Sequence, residues 1–155
     1  MPKGDDFPSA GPPPKGPLHL VKMAVGASDV EELRRLRAQR HAERGESWVY
    51  TRNHPRRADE VLNGGSLYWV VKGQIRARHR IIGFRSQRDD NGRAYCLILT
   101  DPQFVVTLPR PFRPFQGWRY LPPSDAPRDA PGGPGGDFST IPDRMLVELR
   151  ELGLI

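Results

Sequence analysis

The stretch that most limits the fold is LYWVVKGQIRARHRIIGF, residues 67–84. β-Branched and aromatic residues dominate it, no proline interrupts it, and its second half alternates with period two, which is the signature of extended chain. A strand of that kind needs partners. LHLVKMAV (18–25), SWVYTR (47–52), AYCLILT (94–100) and FVVTLP (104–109) supply them, and RPFQGWRYL (113–121) closes the body as an aromatic extended segment. Gly73 either bends one long strand or joins two, and Asp89-Asp90-Asn91-Gly92 marks a hairpin turn. Between the first two strands, Ser28-Asp29-Val30-Glu31 has the spacing of a capping box. It opens a helix whose apolar stripe is Val30, Leu33 and Leu36, with Arg34, Arg35 and Arg37 expected in solvent. A second, short helix falls in HPRRADEVLNGG (54–65), with Pro55 near its start and Gly64 in its C-terminal cap. The expected fold is α+β: a small mixed or antiparallel sheet of five or six strands, flanked by helices, either open or rolled into a small barrel.

Prolines and glycines gather at the two ends and leave about 105 residues for that core. Residues 1–17 are expected to be a disordered tail, 18–121 a single domain, 122–139 a flexible Pro/Gly linker, and 140–155 an amphipathic helix carrying Ile141, Met145, Leu149 and Leu152. Net charge is +6, but residues 18–121 hold 19 Lys/Arg against 10 Asp/Glu, so the domain is the basic part. Such a field favours polyanionic partners. A single cysteine, Cys96, excludes an internal disulfide and suits a reducing cytoplasm; its place in an apolar strand predicts a buried packing residue. No run reaches the roughly 18 apolar residues of a membrane span, so no membrane partner is expected.

Read as one strand, residues 75–81 put Arg76, Arg78 and Arg80 on one face and Ile75, Ala77, His79 and Ile81 on the other. The guanidinium groups would then stand about 6.6 Å apart, a comb suited to a row of phosphates. Tyr68 precedes the comb, Lys72 extends it, and Trp118-Arg119-Tyr120 interleaves a base with two rings on which nucleobases could stack. The ordinary alternative is a solvated sheet face whose arginines pair with acids such as Asp59 or Glu60. Trp69 shares a face with Leu67 and Val71 and is assigned to the core. Enzyme signatures are thin: the sequence has no Gly-x-Ser-x-Gly, phosphate-loop or His-Glu-x-x-His pattern, and His19, His41, His54 and His79 lack metal-ligand spacing, so no cofactor or metal is expected.

GGSLYWVVKGQIRARHRI, LHLVKMAVGASDVEELRRL and RPFQGWRYL together resemble a bacterial family known as domain of unknown function 1489. That resemblance implies that the linker and final helix are appendages. A weaker resemblance, to the RNA- or base-binding barrels of the PUA and ASCH superfamily, implies a binding cleft. The catalytic lysine and glutamate of the ASCH amidohydrolases have no counterparts in Gly65-Ser66-Leu67-Tyr68-Trp69.

The resulting expectation is a non-catalytic nucleic-acid-binding module, RNA preferred. Lys72, Arg76, Arg78, Arg80 and Arg119 would supply charge, and Tyr68, Trp118 and Tyr120 would stack on bases. Two alternatives accompany it: a small hydrolase on a nucleoside-like substrate with Lys72 or His79 as the acid–base group, and a protein-interaction module using the terminal helix. The sequence leaves the oligomeric state open.

Overall fold

The computed structural model describes residues 16–131. The expected tail before Gly16, the linker beyond Pro131 and the terminal helix lie outside those residues. The described chain runs β1 (His19–Met23), α1 (Val30–Arg44), β2 (Trp48–Thr51), α2 (Ala58–Leu62), β3 (Ser66–Val71), β4 (Gln74–Arg88), β5 (Ala94–Thr100), β6 (Val105–Pro111) and β7 (Trp118–Leu121). The sheet is mixed and seven-stranded, ordered β2-β5-β4-β3-β1-β7, with β6 also on β4. β1 and β3 are parallel because α1, β2 and α2 form the crossover between them; the other pairs are antiparallel. The sheet does not close, so the barrel form is corrected to an open α+β sheet. No helix among the described residues is long and apolar enough to cross a membrane.

Local signals explain most of these elements. Asp29 caps α1, accepting from the Glu32 amide at 2.7 Å, while the Glu32 carboxylate accepts from the Ser28 amide at 2.6 Å. The capping box therefore sits one residue later than Ser28. Lys72 (φ 49°) and Gly73 (φ 79°) form a two-residue turn with positive φ at both positions, so β3 and β4 are two strands of a tight hairpin. In the β4–β5 turn only Gly92 takes positive φ, and the Asp89 carboxylate accepts from the Asn91 and Arg93 amides, each at 2.9 Å. Gly65 has a different reason to be glycine. A Cβ there would collide with the carbonyl oxygens of Leu18 and Val61.

Two apolar layers flank the sheet. One packs Leu20, Leu67, Trp69, Val71 and Ala77 beneath Val30 and Leu33 of α1. The other packs Val21, Tyr68, Val70, Ile75 and Leu121 against Phe112 and Phe115. Cys96 is buried, as its strand pattern requires.

The segment after β7 departs from expectation. Residues 122–131 are docked on the domain: Leu108 donates to the Arg128 carbonyl at 2.8 Å, Ala130 donates to the Val106 carbonyl at 2.9 Å, and the Ala130 side chain is buried. The flexible-linker expectation fails over these ten residues because backbone groups, which every residue carries, make the attachment.

Candidate functional site

The alternation that would build an arginine comb breaks at its first member. Register shifts occur on both edges of β4 here, between Trp69 and Val70 on the β3 side and between Ile75 and Ala77 on the β6 side. Arg76 is the extra residue, and an extra residue reverses the phase of everything before it. Ile75 accordingly joins the layer of Tyr68 and Val70, whereas Ala77 joins that of Leu67 and Trp69. Arg76 is fully buried, and that burial pushes its pKa down to about 10 against an opposing pull from Asp29.

The remaining comb residues part company as well. Arg78 is half-buried and forks onto Asp129, with Nε and Nη2 donating to the two carboxylate oxygens at 2.8 and 2.7 Å. Arg80 is exposed. Asp59 and Glu60 take no part; Glu60 is held by Arg57 instead. Tyr68 is buried edge-on against His19, ring centroids 4.9 Å apart, and burial raises its hydroxyl pKa to about 12. Lys72 stands exposed at the hairpin tip, so it is not the recessed amine that a hydrolase reading needs. His79 is buried, its Nδ1 2.9 Å from the Asp101 carbonyl, and burial pushes its pKa down to about 4.

On β7 the three candidates split by face. Arg119 pairs in register with Val21 and lies exposed beside Phe115. Trp118 and Tyr120 pair with Lys22 and Leu20 on the opposite face, the α1 side, with their rings 4.9 Å apart. Trp118 Nε1 donates to the Asn53 carbonyl at 2.8 Å, and the Tyr120 hydroxyl accepts from the Arg57 amide at 3.0 Å. The comb and these two rings are therefore separated by the sheet.

The α1 side holds a site that the sequence reading missed. The ends of β1, α1, β2 and β3 enclose a recess of about 300 Å³ with Lys22, Arg37, Arg40 and Arg44 among its lining residues, together with Trp48, Tyr50 and Trp69. Among the described residues no acidic residue lines it and no carboxylate pairs with any of those four cations. Arg44 lies 3.6 Å over the Trp48 ring and Arg37 5.4 Å from the centre of Trp69. Burial first, then the charges of Arg40 and Arg44, push the Arg37 pKa down to about 10, and burial lowers that of Lys22. The expectation that Arg37 is solvated is corrected: it is 5% exposed, with Nη2 donating to the Trp48 carbonyl at 3.0 Å.

The signal for this recess was present in α1. Val30, Leu33, Arg37, Arg40 and Arg44 recur at i, i+3, i+7, i+10 and i+14, so the core-facing stripe changes from aliphatic to arginine halfway along the helix. Across the sheet, Lys22 stands between Trp69 and Trp118 in register, which gives the same face a ring, a cation and a ring. Among the described residues no group of three or more His, Cys, Asp or Glu could hold a metal ion.

Residues 20–155 match the family described as "Protein of unknown function (DUF1489)", and the chain belongs to that family. The match continues to the last residue, so the segment after Leu121 is part of the family pattern rather than an appendage. Neither a curated protein nor a solved structure matches the chain.

Proposed function

We propose that this member of the family is a non-catalytic nucleic-acid-binding module, RNA preferred, and that it binds through the recess between α1 and the sheet. One observation carries the reading: Lys22, Arg37, Arg40 and Arg44 converge beside Trp48, Tyr50 and Trp69 with no acid among the described lining residues. A cluster of like charges opposes folding, and an anion entering it removes that opposition. Guanidinium groups match phosphate geometry, and aromatic faces take single-stranded bases, each stacked base contributing about 1–3 kcal/mol. Tyr50, 46% exposed, offers the accessible ring. Arg78 is the poorer candidate for phosphate because Asp129 already occupies its fork. A free buried thiol at Cys96 supports a reducing, cytoplasmic setting.

The test is a fluorescence-anisotropy titration of a short mixed-sequence RNA at low salt. Arg40→Ala, at an exposed position of the recess, should weaken binding about tenfold, while Arg80→Ala should leave it unchanged. Equal loss in the two variants would return the phosphate contact to β4.

A further inference from the structure

We infer that the recess receives one nucleotide carrying a terminal phosphate monoester, rather than the interior of a strand. This rests on the nucleic-acid reading above and narrows its ligand. Size is the first argument. About 300 Å³ lies at the lower end of small-ligand pockets, enough for a single nucleotide and too little for a run of them.

Charge is the second. An internal phosphodiester carries one negative charge, whereas a monoester carries about −1.5 to −2 at neutral pH with three terminal oxygens. Three arginines from successive turns of α1 and Lys22 from β1 form a cluster with no carboxylate partner among the described residues. The more highly charged group answers it better.

Unused donors are the third, and they are independent of the charge count. Arg37 and Trp69 are 5% and 4% exposed, both line the recess, and the Arg37 Nε–H and Trp69 Nε1–H have no acceptor among the described residues. Buried donors are nearly always paired, so these two in the recess wall are groups that a ligand oxygen satisfies once their side chains turn toward it. Apolar lining from Met23, Leu33 and Leu36 beside the rings accommodates the base or sugar.

A nucleoside monophosphate has two sources, a strand end and a free nucleotide, and the experiment separates them. One RNA sequence is prepared with a 5′-phosphate, with a 3′-phosphate and with hydroxyls at both ends, and each is titrated into the full chain by anisotropy. Adenosine and uridine 5′-monophosphate serve as competitors. At least one phosphorylated form should bind about tenfold tighter than the hydroxyl form. That preference should shrink to about twofold or less in Arg40→Gln/Arg44→Gln, whose two substitutions are at exposed helix positions. Competition by a free nucleotide at the affinity of the phosphorylated RNA would identify the free nucleotide as the source; a much weaker competitor would identify the strand end. Equal binding of all three RNAs overturns the inference and leaves the RNA-binding reading standing. Absence of binding by any of them at low salt overturns both.

Discussion

Replacing Arg37 by Met should separate binding from stability. Arg37 is a cation held at 5% exposure beside two other arginines, and its pKa falls to about 10. A fall of that size corresponds to on the order of 3 kcal/mol against the charged form. Opposing it are the 3.0 Å bond to the Trp48 carbonyl and the approach to the Trp69 ring, together worth roughly 2–3 kcal/mol. The Trp48 carbonyl would not be orphaned, because Arg44 Nη1 also donates to it at 3.1 Å. Methionine keeps much of the buried stem. The two sides nearly cancel, so the unfolding free energy from urea titration should change by less than about 1 kcal/mol, while RNA affinity falls. A loss of about 3 kcal/mol or more, the usual cost of breaking a paired buried charge, would show that Arg37 is a structural ion and refute the reasoning.

Acid should weaken the fold through its buried histidines. His19 and His79 are held near pKa 4, mainly by burial, with Arg78 adding to the effect on His19 and the Asp101 carbonyl opposing it on His79. Both are neutral when folded and bind protons more readily when unfolded. Their contribution is complete above about pH 6.5 and is lost as pH falls toward 4, at up to about 3 kcal/mol each. Urea midpoints at pH 7 and 4.5 should differ, and His79→Gln should narrow the gap; a gap unaffected by that substitution would count against it. Cys96, whose thiol pKa burial raises, should react slowly with a thiol reagent until urea opens the fold. Fast labelling of the native chain would place that residue at the surface. Gly65→Ala should cost about 2–3 kcal/mol, since the new methyl meets two backbone carbonyls; a change under about 0.5 kcal/mol would mean that the backbone yields easily there.

Residues whose neighbours along the chain decide their conformation were the legible ones. The turn at Asp89–Gly92, the burial of Cys96 and the division of Leu67, Trp69 and Val71 from Tyr68 and Val70 all follow from local pattern, whereas the cap of α1 falls on Asp29 rather than the expected Ser28, and the Lys72-Gly73 turn settles a choice between one bent strand and two that the pattern left open. Arg76 could not be placed that way, because its bulge exists only through the registers that β3 and β6 impose on β4. Residues 122–131 misled by composition: a Pro- and Asp-rich run reads as linker, yet its backbone bonds and the Arg78–Asp129 pair hold it down. The recess was half legible. Its arginines continue the core stripe of α1, but helix arginines are ordinarily solvated, and only the packing of α1 over Trp48 and Trp69 shows that Arg37 is not.

The most direct test of the recess as the phosphate-binding site is the salt dependence of RNA binding. Each phosphate contact at a single strand contributes about −0.7 to the slope of log affinity against log salt. Arg40→Ala/Arg44→Ala should flatten the wild-type slope by about 0.7, the share of the one phosphate the recess holds, and Arg78→Ala/Arg80→Ala should leave it unchanged. An undiminished slope in the first variant, with the flattening in the second, would contradict the account.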